Sequence, residues 1–340
     1  MRKINGVPFT AHIDLSSLTG GEVIKWDATN TLMAWEDQDS TGFIPVVWYG
    51  DRGVFAGGWG VGYSGADNEI DYIAISTTGN ALDFGDLTEA RHSFKGCSSG
   101  SRGLFGGGNN SSDVKTDTID YITFSTTGNS TDFGNLLSVT RYPASCADGT
   151  TGIFAGGQDN SAYLNNIDYV TISTTGNSTD FGNLTTLHAR MAGCSNGTRG
   201  VFGGGNANGT VSNKIDYITI ATTGNALDFG DLTLTRQYLA CVSSTVRGVW
   251  AGGEKNSTYY NTIDYVTLAS TGDATDFGDL TLARGYISGC ANGTRGTIAS
   301  GHDGTSYNII EYITISTLGN AIDFGDLTHT GESCASTSGD

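Results

Sequence analysis

Asp83-Phe84-Gly85 is the triplet that, in a phosphotransferase, holds a metal ion over ATP. The same triplet returns at Asp132-Phe133-Gly134, Asp180-Phe181-Gly182, Asp228-Phe229-Gly230, Asp276-Phe277-Gly278 and Asp323-Phe324-Gly325, with steps of 49, 48, 48, 48 and 47 residues. A catalytic ligand occurs once per site, whereas an element at fixed spacing belongs to an architecture. No Gly-rich phosphate loop, Val-Ala-Ile-Lys strand or His-Arg-Asp loop accompanies it. Each Phe is therefore expected to pack between structural units, each Asp to satisfy turn amides and each Gly to permit a bend.

Other chemistry-bearing residues repeat too. Cys97, Cys146, Cys194, Cys241 and Cys290 recur once per period, with Cys334 three residues early, and no Cys-x-x-Cys pair suggests zinc. Equivalent positions in neighbouring units point around a ring rather than at each other, so these read as small buried side chains. Arg91, Arg141, Arg190, Arg236 and Arg284 precede the same strand and are expected to pair with carboxylates of the repeat. Asp71, Asp120, Asp168, Asp216, Asp264 and Glu311 form a further sixfold set. They read as solvated or Arg-paired, since a calcium site needs several oxygens converging on one ion. The five histidines (His12, His92, His188, His302, His329) show no metal or triad spacing. Gly60-Val61-Gly62-Tyr63-Ser64-Gly65 matches a dinucleotide-binding pattern but sits between antiparallel strands, where no helix follows. Asn-x-Ser/Thr triplets such as Asn129-Ser130-Thr131 read as turn chemistry. On these motifs no catalytic residue, metal site or cofactor site is expected.

The elements that must position these residues are short strands. The chain has 340 residues, 51 of them Gly and 3 Pro, with 37% hydrophobic and 15% charged residues. This balance suits strands joined by tight turns, and helical periodicity is scarce. In residues 90 to 138 the order is ARHSFKGCSSG, SRGLFGGGN, a polar loop, TIDYITFSTTG and NSTDFGNLLS. That is four antiparallel strands per period, an all-β unit. A net charge of −18 and a pI near 4.4 argue against nucleic acid and anionic membrane surfaces as partners. No apolar run is long enough to span a membrane, and MRKINGVPFTAHIDL lacks the apolar core of a secretory signal.

The repeats resemble kelch repeats. The residues that carry the likeness are the Gly doublets Gly57-Gly58, Gly107-Gly108, Gly156-Gly157, Gly204-Gly205 and Gly252-Gly253, with Ser300-Gly301 as the departure. Tyr72, Tyr121, Tyr169, Tyr217, Tyr265 and Tyr312 follow, then the Phe of each Asp-Phe-Gly where kelch blades usually have Trp. The resemblance implies a six-bladed β-propeller of four-stranded antiparallel blades over residues 51 to 340. Kelch-type oxidases use a copper site of Tyr, His and a Tyr–Cys link, and that set has no counterpart here. Two segments compete for the inner strand of the first blade: 327 to 340, which is preferred, and 41 to 53.

Residues 1 to 50 lack the repeat hallmarks. Val23 to Trp26 and Leu32 to Trp35 predict a hairpin, and Trp26, Trp35 and Trp48 are its docking candidates. Between the second and third strands of each repeat the loops diverge while the frame repeats, and they carry Trp59, Tyr63, Tyr163, Tyr259, Tyr260 and Tyr307. Aromatic rings among Asn, Ser and Asp are suited to sugars or protein surfaces. The Asp-Phe-Gly-Asp-Leu-Thr repeats resemble kelch-like proteins of marine bacteriophages. This implies a non-enzymatic virion protein (tail, fibre or capsid decoration), made in the host cytoplasm. Residues 1 to 50 would anchor it to other virion proteins, and the loops would meet a host glycan or protein. The alternative is a carbohydrate-active enzyme or lectin of the same fold.

Overall fold

The computed structural model describes residues 23–27, 32–36, 44–45, 50–60 and 65–339. All regular structure among them is strand. Two compact units are present, Met1–Val46 and Val47–Asp340. In the first, Val23–Asp27, Leu32–Glu36 and Ile44–Pro45 form an antiparallel sheet, with Trp26 registered against Met33 and Trp35 against Ile24. Trp48 lies outside the described residues.

The second unit contains six four-stranded antiparallel sheets. Sheet two is the simplest: Lys95–Ser98, Arg102–Gly106, Thr118–Thr123 and Thr131–Asn135 follow one another in chain order. Sheets three to six begin at Ala144, Ala192, Ala240 and Ser288 and repeat the pattern. Sheet one takes its inner strand from the other end of the chain. Ala335–Gly339 pairs antiparallel with Arg52–Gly60, in register from Ala335 opposite Ala56 to Gly339 opposite Arg52. Among the described residues of the competing segment 41 to 53, Arg52 and Gly53 enter this sheet, as part of its second strand.

Hydrophobic side chains form six separate clusters, each spanning two consecutive sheets. In the cluster between sheets one and two, Phe84 packs with Val54, Ile70, Phe105 and Phe124. All six Phe of the triplets are buried in this way, each edge-on to the Tyr of its own repeat, as in Tyr169–Phe181 at 6.0 Å and 78°. The residue after each triplet binds the next sheet. Gly272 N–H of sheet five donates to the Phe229 carbonyl of sheet four at 2.8 Å, and Asp231 N–H to Asp273 Oδ1 at 3.0 Å. The series returns to its start, because Gly79 N–H donates to the Phe324 carbonyl and Asp326 N–H to Asn80 Oδ1.

The turn amides are thus held by the Asn or Asp of the neighbouring turn and not, as the sequence suggested, by the triplet Asp. All six of those Asp are exposed. Each alternates with a Phe whose side chain must enter the core, and a strand sends successive side chains to opposite faces.

Gly230 has φ +146°, and a Cβ there would sit 2.5 Å from the Gly272 carbonyl oxygen. Gly230→Ala is therefore expected to lower stability by about 3 kcal/mol or more, from backbone strain plus a clash with backbone that cannot retreat. At Gly285 an added Cβ meets nothing nearer than 3.4 Å. Gly285→Ala should stay within about 1 kcal/mol of the parent in the same urea titration. Similar losses for the two would refute the packing account.

All six cysteines are free and buried. Cys97, Cys146, Cys194 and Cys290 fill the space over a glycine of the next sheet: Gly152, Gly200, Gly248 and Gly53. Cys241 does not belong to this register. Val242 meets Gly296 in its place, and Thr337 meets Gly103. Cys241 lies one residue early, so it faces the cluster with Trp250 instead.

Candidate binding site

Four residues before each of these glycine-facing positions, the chain turns into its inner strand through a left-handed residue. These are Ser93, Tyr142, Arg190, Tyr238, Tyr286 and Ser333, with φ between 55° and 64°. Non-glycine residues are strained there by about 1–2 kcal/mol each, so something must hold them. Each N–H donates to the carbonyl of its counterpart in the preceding sheet. The bonds are Tyr142 to Ser93 (2.6 Å), Arg190 to Tyr142 (3.0 Å), Tyr238 to Arg190 (3.1 Å), Tyr286 to Tyr238 (2.9 Å), Ser333 to Tyr286 (2.8 Å) and Ser93 to Ser333 (2.9 Å). The six hydrogen bonds form a closed loop.

Large side chains crowd this loop. Tyr238 and Tyr286 stack at 3.8 Å, Tyr142 meets Tyr238 edge-on at 5.3 Å, and the Arg190 guanidinium lies 5.1 Å from the Tyr238 ring centre. Burial pushes the Tyr286 phenol up to about 12 and that of Tyr238 upward as well. Lys95 lines the same space. Its counterparts two residues before each glycine-facing position are Ala144, Ala192, Ala240, Ser288 and Ala335. Lys95 is the one long side chain of that set, and burial pushes its pKa down. The inner strands of all six sheets line a cavity of about 120 Å³.

One residue before the loop, a two-way backbone pair joins each sheet to the stretch after its Gly doublet. Glu332 pairs with Trp59, His92 with Asn109, Arg141 with Gln158, Ala189 with Asn206, Gln237 with Glu254 and Gly285 with His302. The backbone geometry repeats but the side chains do not. Trp59 lies edge-on to His92 at 5.0 Å, and Tyr259 to His302 at 5.9 Å. His302 Nδ1 is 3.1 Å from Glu332 Oε2, Gln237 donates to Glu254 at 2.5 Å, and Arg190 donates to Gln237 at 3.2 Å. Desolvation, with Arg141 adding to it, pushes His92 down to about 4, while burial raises the Glu332 carboxyl. These groups offer aromatic faces beside donors and acceptors, the means of gripping a polyhydroxylated ligand.

Trp59 and Tyr259 belong to this cluster through their ring contacts. Tyr163 adjoins it by pairing with Gln158. Tyr307 is turned to its own loop, donating to Asp303 at 3.0 Å, and Tyr260 is held by its N–H on the Gly253 carbonyl. Tyr63 lies outside the described residues.

The Arg and Asp sets serve the frame. Arg91 pairs with Asp120 (2.8 Å), Arg236 with Asp264 (2.7 Å) and Arg284 with Glu311 (2.5 Å), all fully buried. Arg141 and Arg190 do not follow. They stand one and two residues past the register, which Thr140 and His188 occupy, and so reach Gln158 and Gln237 of the paired stretches instead. Nor are the six carboxylates solvated. Those lacking an Arg are buried as well and take donors from the preceding sheet, as Asp216 does from Thr185. A further set escaped the sequence reading. Arg52, Arg102, Arg199, Arg247 and Arg295 lie over the Tyr rings, as Arg295 does over Tyr312 at 4.1 Å. They donate to a carbonyl of the next sheet, Arg199 to Leu268 at 2.8 Å. The Arg-Gly that opens five second strands was their signal. The sequence matches no protein-family profile and no curated protein.

Proposed function

We propose that the six sheets are the blades of a kelch-like propeller, and that the chain is a non-enzymatic recognition module which binds a glycan at the mouth formed around Trp59, His92, Arg141, Gln237, Tyr259, His302 and Glu332. One observation carries this reading. On a backbone repeated six times, the mouth positions differ from sheet to sheet, which is how a rigid scaffold presents a specific surface. The resemblance to kelch-like proteins of marine bacteriophages supports placing the module on a virion. There residues 1 to 50 attach it to other particle proteins and the mouth meets the host surface.

A glycan array probed with the full chain tests the binding. Binding to a defined set of glycans is expected, and Trp59→Ala and His302→Ala should each weaken it about 10-fold or more, a loss of about 1.4 kcal/mol or greater. Tyr307→Phe serves as a control that leaves it unchanged. Hydrolysis of an array glycan would transfer the module to the enzymes. Absence of glycan binding, or retention by both variants, refutes the assignment.

A further inference from the structure

We propose that Asp67 and His329 bind a divalent transition metal ion, zinc by preference, between the first and last sheets. Asp67 lies on the Gly65–Ala74 strand of sheet one and His329 on the Ile322–Gly331 strand of sheet six. Some 260 residues of sequence separate them, and only the meeting of these sheets brings them together. The corresponding residues at the other five junctions are Glu89, Ser138, Thr186, Leu234 and Leu282, so the histidine is particular to this one.

The polar atoms are arranged for a cation. His329 Nδ1 has Glu69 Oε2 2.9 Å away and is hydrogen-bonded to Thr328 Oγ1 at 3.1 Å. The Thr328 proton goes to Asp71, so Nδ1 carries the N–H and the Nε2 lone pair turns the other way. It faces Asp67 Oδ2 at 3.4 Å. Asp67 is only 6% exposed, its Oδ1 accepts the Glu69 N–H at 3.0 Å, and Oδ2 has no hydrogen-bond partner. Two acceptors thus confront each other across a 3.4 Å gap that no hydrogen bond spans. Two ligands each about 2.1 Å from a tetrahedral zinc ion lie about 3.4 Å apart. Thr328 Oγ1 fixes the imidazole orientation, as a partner on the far nitrogen usually does behind a metal-bound histidine, and the Glu69 carboxylate beside it adds negative charge. One donor atom each from Asp67, Glu69 and His329 lies within 4.8 Å of the others, and the half-exposed Glu69 leaves a side open for water ligands. Asp71, whose Oδ2 is 3.7 Å from Nδ1, is already engaged by Thr328 and adds negative charge nearby. An ion held here would tie the last sheet to the part of the first sheet that comes from the far end of the chain.

The test is calorimetric titration of chelator-treated full chain with zinc, beside calcium. One zinc per chain is expected, with a midpoint of thermal unfolding that rises with zinc concentration, and no comparable response to calcium. Asp67→Asn and His329→Gln should each weaken zinc binding about 100-fold, and Glu69→Gln about 10-fold. The metal-free melt of each variant shows whether it is folded. Cobalt(II) provides a readout that needs no variant, because ligand-field absorption with an imidazole nitrogen signature must appear at one equivalent. Absence of stoichiometric binding, binding that survives either ligand substitution, or an NMR titration showing His329 as an imidazolium at neutral pH would overturn the proposal. In that last case a proton fills the gap.

Discussion

A chain cut after Glu332 is expected to lose cooperative unfolding or to melt at least 15 °C below the parent, a loss on the order of 5 kcal/mol or more. The missing residues complete sheet one by pairing with Arg52–Ala56. They also bind both neighbours. Ser336 and Ser338 donate to the Gly289 and Ala291 carbonyls of sheet six, and Ser98 of sheet two donates to the Ser338 carbonyl. Ser333 takes two bonds of the closed loop with it. At about 1 kcal/mol per net hydrogen bond, the total approaches the entire stability of an ordinary domain. The strand left behind becomes an open edge, which invites association. Circular dichroism melts and size-exclusion chromatography read both effects. A synthetic peptide of residues 333 to 340 should restore the melt. A truncated monomer melting within a few degrees of the parent would show that the sheet does not depend on its borrowed strand.

The second large effect belongs to Arg236. Its guanidinium donates to the Gly252 and Thr262 carbonyls, both at 2.6 Å, and to Asp264 at 2.7 Å, with no exposure. Arg236→Met leaves a buried carboxylate without its cation and should lower stability by about 3–5 kcal/mol. Adding Asp264→Asn to that variant should recover part of the loss, because the stranded charge is gone. Asp168 makes the contrast. It has no Arg, and takes hydrogen bonds from Leu137 N–H, Asn166 and Ser178. Burial raises its pKa above the unfolded value, so the folded state favours the neutral form. Its anion opposes folding at neutral pH, and that opposition fades as pH falls through the folded pKa. Asp168→Asn is thus expected to reduce stability less than Asp264→Asn at pH 7, and the gap between Asp168→Asn and the parent should change as the pH is lowered toward 4. Equal losses from both Asn variants at pH 7 would show that the Arg partner is immaterial.

Much of the frame was legible because it recurs. Six copies of one pattern gave the four-stranded unit and the burial of Phe84 and its counterparts, while two local apolar stretches outside the repeats gave the antiparallel pair at residues 23 to 36. What stayed hidden depended on register. Counting from cysteines misplaced Cys241 by a single residue, and a one-residue slip moves a side chain to the opposite face of a strand. With Val242 and Thr337 in the set, four residues back gives the whole left-handed loop and six back separates Arg236 from Arg141. The mouth was harder still. His92, Gln237 and Glu332 share no motif, and only the fold gathers residues from such distant places. His329 and Asp67 were beyond any spacing rule for the same reason.

The loop of left-handed residues also acts as a gauge. Duplicating or losing one unit of about 48 residues would leave every sheet-to-sheet latch intact, since each involves only adjacent copies. The loop nevertheless responds to the total, because an extra member must widen it and strain its hydrogen bonds together. Copy number is therefore registered in this loop by backbone atoms indifferent to side-chain identity, and substitutions at the mouth can accumulate without altering the tally.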